Sequence, residues 1–444
     1  MDVSKYLQQF ITTHFLGKMH PMAAFSAKSC RFFETLFMHM DRANQEATIM
    51  HEPLPSNLKG LPTDLPLCAI KSPTSSALID DKANSYHALE KCKGVKGNLF
   101  SYIPESIQTE IDTMPKYGIT YKFNIDKRNY TVHLVSPTNR PAQWKQHINQ
   151  MYIWLYIANQ FAPSKCSQEM TVYLYLTKLQ KLRPKSDQRT GHTIRETHAN
   201  TAFTTSCKTS TELYIFREEE WFKVFIHETF HCMGLDFSEM DNRESTKHIL
   251  DIFPVKSDVN LFETYCEAWA EIINVLFIAY RAKRSSAANI SSTANKSNKA
   301  LLDRTYLLLD QERTFSMYQC AKILHLFGME YDDMHNKQKE AAHYSRIYKY
   351  KEETNVLSYY ILKSIILFYM DDFIQWCIEH NGDTLCFHKT RDNVQQYCAF
   401  FKDHFDRPEY VQSLLVMEKW FCCRKGGPIA GSFELDTMRM TIHG

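Results

Sequence analysis

The sequence predicts an α+β protein, with a small sheet and helices in the middle of the chain and a mainly helical region after it. Three observations carry this. Strand-like runs with alternating apolar residues are confined to about 117–216, a helical apolar stripe interrupts them at 141–161, and from 301 to 424 the pattern is helical almost throughout. At 444 residues and 52.1 kDa the chain exceeds one ordinary core. We divide it into an N-terminal region of unknown role (1–115), a central domain (116–284), a flexible loop (285–300), a helical region (301–424) and an extended tail (425–444).

In order, residues 1–115 mix short helical patterns with punctuation such as HEPLP at 51–55 and the polar run at 71–76. YGITYKFNI (117–125) and YTVHLVS (130–136) flank Asp126, Lys127, Arg128 and Asn129 and read as a hairpin. Trp144, Ile148, Met151, Leu155 and Ala158 recur at spacings of three and four, giving a helix that Pro163 stops. MTVYLYLT (170–177) is a strand, 200–205 an edge strand, and 212–216 another strand, leading into a helix that starts near Trp221 and is capped by Gly234. The Glu218-Glu219-Glu220 run supplies that helix with an acidic first turn. SSAANISSTANKSNKA (285–300) has almost no apolar mass and reads as an exposed loop. The most apolar stretch, 359–376, is broken by Lys363, Asp371 and Asp372, too short a charge-free run to cross a bilayer, and reads as one buried amphipathic helix.

Composition bounds the function. Hydrophobic residues make up 44%, charged residues 23% and aromatics 13%, which excludes wholesale disorder. With 52 Lys+Arg against 50 Asp+Glu, there is no global charge for nucleic acid or an anionic membrane. A local basic connection, Lys178, Lys181, Arg183, Lys185, Arg189 and Arg195, lacks interleaved aromatics and reads as a solvated loop. The 13 cysteines are odd in number and contain no C-x-x-C pair, so no disulfide framework is expected. The N-terminus lacks the pattern of a secretory signal, and a reducing compartment such as the cytoplasm fits best.

The chemistry concentrates at 227–231, His-Glu-Thr-Phe-His. One helical turn separates His227 from His231, so both imidazoles can bind one Zn²⁺, with Glu228 placed as general base toward a metal-activated water. Such a match arises by accident in about one chain in twenty of this length and histidine content, so context must decide. A second helix, FETYCEAWAEIINVLFIAY (262–280), stacks Glu263, Glu267 and Glu271 at four-residue spacing without i+4 lysines, a set of like charges that a divalent cation would compensate. The metzincin continuation H-E-x-x-H-x-x-G is present through Gly234, but the position for its third histidine is Phe237. Cys232, beside a candidate ligand, reads as a small buried residue rather than a redox thiol.

The pair of motifs resembles the gluzincin zinc metallopeptidases, whose third ligand is a Glu on a second helix. Glu267-Ala268-Trp269-Ala270-Glu271 is similar to the ligand helix of the lethal-factor and aminopeptidase branches. The resemblance implies a zincin-like domain that hydrolyses peptide bonds of a peptide or protein substrate. It implies one zinc per chain, held by His227, His231 and Glu267, with Glu228 catalytic and Glu271 orienting an imidazole. Glu263 is the substitute ligand, Tyr318 the candidate oxyanion donor, and the edge strand a place to hold a peptide by β-augmentation. Residues 216–221 (FREEEW) and 200–204 (NTAFT) are similar to metallopeptidases assigned to large nucleocytoplasmic DNA viruses, which implies infected-cell cytoplasm or the virion. The competing expectation is a structural or virion-associated protein that retains a zincin-like fold without catalysis.

Overall fold

In a computed structural model the strand pattern closes into one six-stranded sheet in the order β1-β2-β3-β4-β6-β5. The structure describes residues 2–50, 87–88, 97, 99–115, 117–184, 192–287, 294–382, 385–423 and 432–444. The chain runs through α1 (Val3–His14), α2 (Ala27–Met50), β1 (His87–Ala88), α3 (Glu105–Thr113), β2 (Tyr117–Ile125), β3 (Arg128–Ser136), α4 (Pro141–Phe161) and β4 (Glu169–Tyr175). Then follow α5 (Glu196–Ala199), β5 (Ala202–Thr204), β6 (Ser210–Ile215), α6 (Trp221–Cys232), α7 (Arg243–Ile252), α8 (Leu261–Ala287) and α9 (Ala294–Leu326). The remainder is helical: α10 (Tyr331–His335), α11 (Glu340–Tyr344), α12 (Lys363–Phe368), α13 (Met370–Asn381), α14 (Arg391–His404), α15 (Pro408–Cys423) and α16 (Phe433–Asp436). No helix among the described residues is long and apolar enough to cross a membrane.

The chain forms two compact units that cut across its linear order: residues 35–179 with 201–235, and residues 1–34 with 180–200 and 236–444. The first holds the sheet. Its hairpin, helix, strand, edge strand, strand and helix appear in the order that the sequence predicts. Asp126 takes φ 51 in the tight β2–β3 turn, a left-handed conformation that aspartate tolerates. β3 pairs with β4 in parallel, which requires the α4 crossover between them, and β6 lies parallel to β4 with β5 antiparallel at the edge. Side chains alternate across the sheet. Val135, Tyr173, Tyr175, Tyr214 and Phe216 pack on Ile103, Ile107 and Ile111 around α3, while Val132, Val172, Leu174 and Leu213 lie between these positions on the opposite-facing register. Trp154 on α4 donates its indole N–H to Thr229 Oγ1 at 2.6 Å, which fixes α4 against α6.

The cysteine expectation requires correction: Cys166, in the loop after α4, is disulfide-bonded to Cys207, in the β5–β6 turn. Their Cα atoms lie 4.8 Å apart although 41 residues separate them in sequence, a proximity that counting and spacing carry no information about. Nine other cysteines among the described residues are free thiols.

The second unit is helical. α8 and α9 pack together, with α1, α12 and α15 also on α9. The expected loop at 285–300 is mostly helix, because α8 continues to Ala287 and α9 begins at Ala294, and residues 288–293 lie outside the described set, as do 51–55, 71–76 and 425–428. The single helix expected at 359–376 is two. A π-helical turn, Leu357–Leu362, runs into α12, the helix is interrupted at Tyr369, and Asp371 and Asp372 form the acidic first turn of α13.

Of the segment read as a tail, residues 432–444 are extended in part, and most of them are buried. Met438, Thr441 and Ile442 have no exposure. Its peptide groups are met by side chains: Tyr360 donates to Met438 O at 2.7 Å, Lys363 to Met440 O at 3.0 Å and Asn274 to His443 O at 3.0 Å. The Glu312 carboxylate accepts from the Ile442 and His443 amides and from the Thr441 hydroxyl. A buried extended segment has no ladder of its own, so such partners are obligatory.

Candidate metal centre

α6 carries the motif. Glu220 caps its N-terminus in the left-handed region, φ 58, and is fully buried, so the acidic run precedes the helix instead of forming its first turn. Glu218 is placed outside, paired with Arg140 at 3.3 Å. At the other end Gly234, φ +68, closes a Schellman cap: its amide donates to His231 O at 3.1 Å and the Leu235 amide to Phe230 O at 2.8 Å. A Cβ at Gly234 would stand 2.7 Å from Cys166 Sγ. Gly234→Ala is therefore expected to cost about 1–3 kcal/mol in denaturant unfolding, and a neutral result would show that the cap has slack.

His227 and His231 project from one face with their Nε2 atoms 3.2 Å apart and their rings nearly perpendicular, centroids 4.9 Å apart. Two nitrogens at about 2.05 Å from one tetrahedral zinc stand about 3.3 Å apart. The pair fits that spacing; a proton shared between a neutral donor and acceptor imidazole fits it as well. Glu228 is 8% exposed and His227 6%, whereas His231 is half-buried, so the motif is sheltered but not sealed. Thr229, in the middle of the motif, is pinned by Trp154 and donates to Ile226 O at 2.7 Å, which holds the helix against rotation. Burial pushes the Cys232 thiol up to about 12, which makes it an inert buried residue as its sequence position suggests.

The carboxylates of α8 belong to the helical unit. Glu267 and Glu271 are buried, at 2% and 0% exposure, beside the fully buried Lys363, whose ammonium donates to Glu271 and lies 4.0 Å from Glu267. The charge compensation that the sequence attributes to a metal is thus supplied at Glu271 by a lysine from another helix. Glu263, half-buried, accepts from the Tyr359 hydroxyl at 3.2 Å. Lys363 was visible only as an interruption of an apolar run; a lone lysine in a buried helix is itself the signal of a buried acid.

Tyr318 is a core residue. It is fully buried among Phe10, Phe15 and Phe421, and its hydroxyl donates to Glu434 O at 2.9 Å, so it does not serve as an oxyanion donor. Tyr265 likewise donates to Leu385 O at 3.0 Å. The basic connection is not a free patch: Lys181 is buried, and Arg183 and Arg195 pair at 2.7 Å with Asp436 and Glu353. Lys185 and Arg189 lie outside the described residues. Comparison of the chain with known protein families, curated proteins and solved structures finds no match.

Proposed function

We propose that the chain is a zinc-dependent metallopeptidase of gluzincin type, acting on a peptide or protein substrate. The observation that carries the reading is the convergence of the His227 and His231 Nε2 atoms at 3.2 Å with Glu228 between them on a rigidly capped helix. A zinc ion there would polarise the scissile carbonyl and acidify water. Glu228 takes the proton from the attacking water and returns it to the leaving amine. His227 and His231 orient the metal, and the pinned Thr229 and the Gly234 cap keep their helix from rotating as charge develops.

The gluzincin resemblance implies that the third ligand is a Glu of α8. Motif alignment selects Glu267, while the ammonium 4.0 Å from its carboxylate would compete with a metal there; Glu263, which accepts from the neutral Tyr359 hydroxyl, is the alternative. Metal analysis separates the alternatives. Wild type should carry about one zinc per chain, and Glu267→Ala should lose it. Zinc retained there but lost in Glu263→Ala moves the ligand one turn toward the N-terminus, and a zinc-free wild type ends the metallopeptidase reading.

Lys363 favours a second reading. Since it compensates Glu271 without a metal, that carboxylate needs no ion, as a non-catalytic, virion-associated protein with a zincin-like fold would require. The retained Glu228 argues against that reading, because a purely structural site needs no base. Infected-cell cytoplasm or the virion remains the proposed location; the disulfide suits the virion, where thiols stay oxidised.

A further inference from the structure

We propose that the Cys166–Cys207 disulfide is a redox-addressed strut for the motif helix, and that its reduction weakens metal binding by His227 and His231. The inference rests on the metal reading above and concerns how that same site is regulated.

The bond sits directly on the helix cap. A Cβ built at Gly234 would meet Cys166 Sγ at 2.7 Å and Cys207 Cβ at 3.2 Å, so the bare glycine is what lets the two approach. The residue after Cys166 grips the same helix end, with Ser167 Oγ donating to Cys232 O at 2.7 Å and sharing a hydrogen bond with Thr211 at 2.8 Å. The Ser167 amide donates to Lys208 O at 2.6 Å, which ties this loop to the turn that holds Cys207. On the far side, Arg128 donates to Cys166 O at 3.1 Å and to Pro163 O at 2.7 Å. The Cys232 carbonyl at the end of α6, one residue after His231, is thus held by a frame that the disulfide closes.

Its two sulfurs differ in access. Cys166 is fully buried, whereas Cys207 is half-buried between exposed Ser206 and Lys208. A dithiol reductant would attack at Cys207 Sγ. The bond to Cys166 breaks, Cys166 leaves as a thiolate and takes up a proton, and the second thiol of the reductant resolves the mixed disulfide. The protein gains two electrons and two protons, and the reductant becomes a disulfide. Two thiols then need a separation of about 3.5 Å or more in place of a covalent bond, and Gly234 leaves Cys166 no room on its side. The 205–209 turn must swing outward, and the Ser167 grip on the cap loosens with it.

The test measures zinc affinity by chelator competition on the full chain, oxidised and after reduction with a trialkylphosphine, which leaves as its oxide with oxygen from water. A Cys166→Ala/Cys207→Ala double variant, which lacks thiols here to bind metal, is measured beside it. Reduction should weaken zinc binding about tenfold, the loss typical when the support of a ligand is removed. The double variant should match the reduced level and ignore the phosphine. In the metal-free protein, amide hydrogen exchange over 229–235 should quicken on reduction. Equal zinc affinity in both redox states, or unchanged exchange, overturns the strut alone. No zinc in either state overturns the metal reading and the strut with it.

Discussion

Glu228→Gln is expected to keep its zinc and to lose peptide hydrolysis by about 10²–10⁴-fold, the range over which a positioned base contributes. The substitution keeps the volume and one hydrogen-bonding oxygen but removes the only function assigned to this side chain, proton transfer. Glu228 is 8% exposed on a helix pinned by Trp154 and capped by Gly234, so the amide should occupy the same position without disturbing His227 or His231. The measurement pairs metal content with turnover of a mixed peptide library read by mass spectrometry. Full activity in the variant removes Glu228 from the mechanism. A wild type that holds zinc yet cleaves nothing in the library establishes the non-catalytic reading instead.

Lys363→Met should destabilise the helical unit by about 3–5 kcal/mol. Lys363 has no exposure, donates to Glu271 and to Met440 O, and is the cation beside two buried carboxylates. Removing it leaves the Glu271 carboxylate, which has no exposure, without that cation, and the loss should exceed anything expected from packing, since methionine fills a similar volume. The double variant Lys363→Met/Glu271→Met should recover most of that stability, because an apolar pair of similar size replaces the ion pair without stranding either partner. Urea unfolding monitored in the helical unit provides the measurement. A single variant as stable as wild type would mean that Glu271 is neutral or solvated in the fold. Failure of the double variant to recover would place the contribution of Lys363 in its hold on the 437–443 segment.

Much of this architecture was legible. β2 begins and ends where its alternation predicts, and α4 spans Pro141–Phe161, because proline at its first position and Pro163 beyond its end punctuate it locally. The histidine pair was legible for the same reason, since spacing within one helix fixes geometry. What escaped depends on distant chain. Nothing near Lys363 announces Glu271, nothing near Cys166 announces Cys207, and Tyr318 looks like any other helical tyrosine until Glu434 is brought to it. The buried course of 437–443 was hidden because its polar groups are satisfied by Glu312, Tyr360, Lys363 and Asn274, whose roles emerge only on folding.

That last arrangement bears on synthesis in the cell. Glu312 leaves the ribosome about 130 residues before the amides it binds, a wait of about 7–26 s at typical elongation rates. Throughout that interval the core of the helical unit carries a buried-type carboxylate and a lysine without their peptide partners. The unit therefore cannot finish folding as it emerges, and a chain that stalls before residue 437 would present its unfinished core to chaperones and proteases.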